Sequence, residues 1–182
     1  MPPPDPRPDD ALVAAANQGD ESALAALYLR YRDWVIRLAR RLTGNEEDAL
    51  DVLQETFSYV CRKFPGFILT ASMTTFLYPV VKNLSIAARR KRLRSIGGEA
   101  LLADLPSEPA PSGSPRDNLA AVLSNLSFAH REVVLMRFVD AMSLEEIATA
   151  LSVPLGTVKS RLHNALDSLR TDPRTRHYFI SR

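Results

Sequence analysis

The 21-residue stretch SIGGEALLADLPSEPAPSGSP, Ser95 to Pro115, sets the limits on what this chain can fold into. It holds three glycines, four prolines and four serines. Proline lacks an N–H and fixes φ, and glycine frees the backbone, so the stretch reads as a flexible, partly extended linker. With 182 residues in all, each side of it has enough chain for one small domain.

On both sides apolar residues recur at three- and four-residue steps, the spacing of a buried helical stripe. A short helix is predicted over Asp10–Gln18. A second runs from an Asp20 cap through Leu24, Leu27, Tyr31, Trp34, Val35 and Leu38 to Leu42, where Gly44 stops it. Asn45 caps a third, with Ala49, Val52, Leu53, Phe57, Val60 and Phe64 on its stripe, and Pro65-Gly66 breaks it. After a loop, a fourth carries Phe76, Leu77, Val80, Val81, Leu84 and Ala88 and ends in AARRKRLR. No run of two-residue alternation is bounded by turns, so a sheet is not expected. The expected fold is all-α: two small helical domains, about 9–94 and 116–170, joined by the linker, with a disordered N-terminus (1–8) and a short tail (171–182).

Charge is segregated along the chain. Thr43 to Thr56 holds Glu46, Glu47, Asp48, Asp51 and Glu55 and no base. Thr56 to Gly98 holds no acid, and its bases are Arg62, Lys63, Lys82, Arg89, Arg90, Lys91, Arg92 and Arg94. All but four of the chain's 23 bases are arginine, which suits bidentate contacts to phosphates and base edges. Such blocks point to a polyanion on one face and a different partner on another. The segment Glu99 to Asp117 is acidic again, which suits either a solvated tether or mimicry of nucleic acid.

The single cysteine, Cys61, excludes an internal disulfide, and His130, His163 and His177 are too scattered for a metal cluster. Glu47, Asp51 and Glu55 share a helix face, but no Glu-x-x-His partner exists, so neither metal nor cofactor is expected. That face is either solvated or a docking surface for a basic partner. The start MPPPDPRPDD has no apolar stretch, and uncharged Phe64–Val81 is interrupted by Pro65, Gly66 and Pro79. No signal peptide and no membrane insertion are expected, and the expected location is cytoplasmic.

The sharpest local pattern is MSLEEIATALSVPLGTVKSRLHNALDSLR. Ser143 and Glu146 fit a capping box, and Leu144, Ile147, Ala148 and Leu151 form the inner face of a short helix. Ser152-Val153 makes the turn, and Pro154 falls where a first-turn proline is tolerated. Val158, Leu162, Ala165 and Leu169 line a longer helix whose other face presents Thr157, Lys159, Ser160, Arg161 and His163. This is a helix-turn-helix pattern, whose second helix would enter a major groove. A helical hairpin with a solvated face fits the same spacing. In the first domain Phe64, Phe67, Phe76 and Tyr78 lie beside the cationic track, an arrangement suited to unstacked bases as well as to a core.

Together, DALDVLQETFSYVCRKFPGF, TTFLYPVVKNLSIAARRKRLR and LSFAHREVVLMRFVDAMSLEEIATALSVPLGTVKSRLHNALDSLR resemble a group 4, extracytoplasmic-function, bacterial sigma factor. The resemblance spans about Ala23 to Arg170. The helix-turn-helix alone is similar to that of LuxR-type regulators, and its pairing with DVLQETF and a basic helix is what separates them. The resemblance implies a sigma region 2 bundle and a helix-turn-helix region 4. It implies a non-enzymatic specificity subunit that binds bacterial core RNA polymerase and directs promoter recognition, promoter opening and transcription initiation. Asp51, Gln54 and Glu55, with Asp48 on the same helix, match the core-polymerase-binding positions. Phe76, Tyr78, Asn83, Arg89, Arg90, Lys91, Arg92 and Arg94 match those that meet the minus-ten element, and the Phe64–Thr75 loop matches the segment that captures a flipped base. Thr157, Lys159, Ser160, Arg161 and His163 match the reader of the minus-thirty-five element. The implied partners are core polymerase, promoter DNA as duplex and melted single strand, and an anti-sigma factor.

Three residues depart from the pattern: Phe76 stands for a tryptophan, Pro79 for a helix-continuing residue, and Ala87 for an acidic one. A proline within a helix costs about 3 kcal/mol, so the fourth helix is expected to begin late, near Thr75, or to kink. Two other functions compete. A dimeric one-component regulator would need a sensor or dimer face, and a nuclease would need converging catalytic side chains.

Overall fold

The computed structural model describes residues 5–95 and 121–175; the linker beyond Ser95 and the tail beyond Thr175 lie outside them. The chain divides into two compact units, the first within 1–103 and the second within 104–182. All regular structure among the described residues is helical.

The first unit contains α1 (Asp9–Asn17), α2 (Glu21–Thr43), α3 (Glu46–Cys61) and α4 (Met73–Ser95). Local chemistry sets most of these boundaries. The Asp20 carboxylate accepts from the amides of Ser22 and Ala23 at 2.9 and 3.3 Å, satisfying two orphan donors at the start of α2. Gly44, at φ 67°, ends α2 in the left-handed conformation that glycine adopts without strain. The Asn45 side chain accepts from Asp48 N at 2.8 Å and opens α3.

Two expectations are corrected here. α3 stops at Cys61, so Phe64 lies in the turn beyond it rather than on its stripe; Pro65 disfavours helical backbone at the residue before it. α4 begins at Met73 rather than late at Thr75, with the Thr75 amide donating to Ser72 Oγ at 3.3 Å. Pro79 therefore sits inside the helix, where it cannot donate to the Thr75 carbonyl.

α2 packs against the other three helices. Leu12, Leu27, Val35, Leu38, Met73, Leu77, Tyr78 and Val81 are all at most 2 % exposed; burying one such side chain contributes about 2 kcal/mol. Residues 5–8, expected to be disordered, are held instead. Arg7 pairs with Asp5 and Asp20 at 2.8 and 3.1 Å, and Arg30 donates to the carbonyls of Asp5 and Arg7 at 2.8 and 2.7 Å. Tyr31 donates to Asp9, and its burial, followed by that bond, holds its phenol well above the usual range.

The second unit contains a helical stretch at 121–125, then α5 (Phe128–Phe138), α6 (Leu144–Leu151) and α7 (Leu155–Thr171). Val122, Leu126, Val134, Ala165 and Leu169 form one core, flanked by Leu123, Leu162 and Leu166. Met136, Met142, Ile147 and Val158 are at most 1 % exposed. The buried Arg131 guanidinium donates to the carbonyls of Ser124 and Leu126 at 2.8 and 3.1 Å, satisfying acceptors at a helix end. The capping box at α6 is complete: Glu146 N donates to Ser143 Oγ at 3.1 Å, and Ser143 N to Glu146 Oε2 at 2.7 Å. Ser152, at φ 54°, makes the turn between α6 and α7. Pro154 is the N-cap of α7 rather than a first-turn residue.

Candidate nucleic-acid interface

The four residues of α3 expected to bind polymerase divide by exposure. Asp51, Gln54 and Glu55 are exposed along its outer side. Beside Asp51 and Gln54 opens a groove of about 570 Å³, also lined by Tyr28, Leu50, Phe57 and Cys61. Tyr28 and Phe57 meet edge to face at 4.8 Å, and Leu50 is 51 % exposed. The face is therefore mixed, with apolar area for burial and carboxylates for orientation, as a protein–protein contact needs. Asp48 differs from the others. Its side chain is largely covered and pairs with Arg92 of α4 at 3.5 Å. The structure thus joins one expected polymerase-binding residue to one expected DNA-binding residue.

The basic end of α4 presents Arg90, Lys91, Arg92 and Arg94 to solvent, with Asn83 exposed further back and Arg89 half-buried. Tyr78 is corrected: at 2 % exposure it is a core residue, and its ring is not presented to nucleic acid. The two rings are two helical positions apart, so when Tyr78 faces the core Phe76 faces away from it. Phe76 is half-buried in a run of rings, 4.8 Å from Phe67 and stacked on Tyr59 at 6.3 Å. Lys63 Nζ lies 4.8 Å from the centre of the Tyr59 ring, within cation–π range. Sequence reading passed over Tyr59, which falls off the apolar stripe of α3 and so carried no signal of its own. It also missed Asn17, whose side chain bonds the α3–α4 loop at Gly66 and Phe67.

On α7, Lys159, Ser160 and His163 are exposed, and Thr157 and Arg161 are half-buried. The Ser160 hydroxyl donates to the Thr157 carbonyl at 3.0 Å. The Pro154 cap supplies no side-chain acceptor to the start of α7, and the Thr157 and Val158 amides donate to the Pro154 carbonyl at 2.9 and 3.2 Å. Among the described residues no three His, Cys, Asp or Glu side chains converge as metal ligands, and no helix is long and apolar enough to cross a membrane.

Two family models match, in this order along the chain. Sigma-70 region 2 covers residues 27–95, which reach from within α2 to the end of α4. Sigma-70 region 4 covers residues 122–171, through the end of α7. The ECF RNA polymerase sigma factor SigL of Mycobacterium tuberculosis is 33% identical over 166 residues, covering 88% of this chain and 94% of that protein. This chain belongs to the extracytoplasmic-function sigma factors. SigW of Bacillus subtilis, another of them, is 29% identical over 173 residues, covering 87% of this chain and 92% of its own. The family fold is also that of CnrH, solved in complex with the cytosolic domain of CnrY, with a TM-score of 0.66 and 22% identity over 96% of this chain and 99% of that one. It is likewise that of RpoE from Bartonella quintana, solved with the anti-sigma factor NepR, with a TM-score of 0.60 and 22% identity over 85% and 95%. In this sigma factor region 2 comprises most of α2 with α3 and α4, region 4 ends in the helix-turn-helix of α6 and α7, and α1 precedes both matches.

Proposed function

We propose that this sigma factor binds bacterial core RNA polymerase through the exposed face of α3, reads the minus-thirty-five element with α7, and opens the minus-ten element with α4 and the loop before it. The observation that carries the reading is the division within region 2. Exposed acids and an apolar groove belong to α2 and α3, while exposed bases and a run of rings belong to α3's end, the loop and α4. One small unit can then hold a protein and a nucleic acid at once.

On this reading Asp51, Gln54 and Glu55 dock on polymerase, and Asp48 acts indirectly by holding Arg92. Asn83, Arg90, Lys91 and Arg94 contact the minus-ten backbone and bases. Phe76 acts from within its ring cluster, supporting the surface that receives an unstacked base. Extruding a base costs a few kcal/mol, and stacking on an aromatic platform returns about 1–3 kcal/mol per base. Duplex opening follows from holding the single strand, with no bond made or broken. On α7, Lys159 and His163 face phosphates and base edges, with Thr157, Ser160 and Arg161 alongside. Off polymerase, the exposed Leu50 and Phe138 offer an anti-sigma factor apolar surface to cover.

The test is gel filtration of the purified protein with bacterial core polymerase. Wild type is expected to co-elute and Asp51→Arg/Gln54→Ala to elute alone. Duplex binding by the isolated protein, with no co-elution in wild type, would instead support a stand-alone regulator.

A further inference from the structure

Asn17 is the last residue of α1 and lies ahead of the region 2 match. Its amide reaches the loop between α3 and α4, 49 and 50 positions on. Oδ1 accepts from the amides of Gly66 and Phe67 at 2.7 and 3.0 Å, and Nδ2 donates to the Phe67 carbonyl at 2.8 Å. The two ends of the amide are thereby assigned, since the reverse orientation would set N–H against N–H and oxygen against oxygen. A carboxamide alone among side chains of this size both accepts and donates in this way.

The bonds hold one turn of backbone. Gly66 has φ +99° with nothing within 4 Å of the position a Cβ would take, so its need is conformational rather than steric. Phe67 is 8 % exposed, edge-on to Phe64 at 5.4 Å and tilted on Phe76 at 4.8 Å. At the other end of the loop Ser72 Oγ lies 2.8 Å from Thr75 Oγ1. Between these anchors Ile68 is 78 % exposed and Thr70 is exposed too. The result is a short loop pinned at both ends with its middle open to solvent. Ordering a loop before it meets its ligand removes that entropy from the binding step.

We propose that Asn17 is a positioning residue for base recognition: it presets the loop whose exposed middle receives the unstacked promoter base. The assignment rests on the proposed role of that loop in holding the base. Asn17 itself touches no DNA in this scheme.

Holoenzyme formed from wild-type chain and bacterial core polymerase first selects from a randomised pool of short single-stranded DNA oligonucleotides, and the most selective position defines the probe. The readout is the affinity ratio between the selected base and the other three. Asn17→Ala is expected to lower that ratio about tenfold, one base's worth of discrimination, with co-elution on core and salt dependence as in wild type. Asn17→Asp, which keeps the two accepted bonds and loses the donated one, is expected to fall between. Ile68→Ala and Thr70→Ala report on the loop's middle. If they flatten the ratio and Asn17→Ala does not, the loop reads the base without Asn17 and the assignment falls. If none of the three moves it, the proposed role of the loop falls and takes the assignment with it. Loss of core co-elution in Asn17→Ala would make Asn17 a residue of the fold alone, which also overturns the assignment.

Discussion

In the second unit the side chains proposed to meet DNA stand on one regular helix, α7. In the first they are divided between the end of α4 and a loop pinned by Asn17 from the far end of α1. The contrast follows the proposed ligands. A duplex repeats regularly and its major groove admits a helix, so spacing along α7 suffices. An unstacked base has left that regular frame, and receiving it takes a concave, irregular surface. Irregular backbone cannot satisfy its own polar groups, so the first unit supplies partners from distant elements. The core helices of the second unit lie closer together in sequence, and its helix-turn-helix is complete within Ser143–Thr171.

Three measurements test the contrast between the two units. The largest effect is expected from Ile147→Ala, which empties a fully buried site in α6 and costs about 3 kcal/mol. Trp34, the chain's single tryptophan, lies in α2, so its fluorescence reports on the first unit alone. The helical signal should gain an earlier melting step while the Trp34 transition stays in place; a joint shift would mean the units do not fold separately. Next is Lys159→Ala. It should weaken binding to every duplex sequence alike and lower the salt slope by about 1, the behaviour of a phosphate contact. A loss confined to one sequence would make Lys159 a base reader.

The smallest effect is expected in acid. The Ser22 hydroxyl, then Arg7, holds the Asp20 carboxyl at about 2, below its ordinary 3.8. The folded value lies below the unfolded one. The cap's contribution is therefore complete above pH 3.8 and lost as pH falls towards 2. Asp172 is also held at about 2, but by Arg174 two residues away, a pairing so local that the unfolded chain can keep part of it. Denaturation followed at Trp34 should separate wild type from Asp20→Asn at neutral pH, with the gap closing over that acid range. Asp172→Asn, followed by the helical signal because Trp34 lies in the other unit, should open no such gap.

Helix order and most helix ends could be read before any coordinates, because capping is local. Asp20, Gly44, Asn45, Ser143 and Glu146 each act within four residues of the end they set. The family was legible for the same reason, since DVLQETF and GTVKSRLH are contiguous. The faces of α4 were harder. Its run FLYPVV is apolar on every side, so periodicity could not say that Tyr78 turns inward and Phe76 does not. Packing against α2 and α3 decides that. The pairing of Asp48 with Arg92 and the hold of Asn17 on Gly66 and Phe67 are further still from the sequence. A contact between residues so far apart in the chain leaves no spacing pattern in it. Which helices form, and which family they make, follows from local and contiguous patterns in the chain. Only their packing decided which acid turns toward a base, which ring enters the core and what holds the loop.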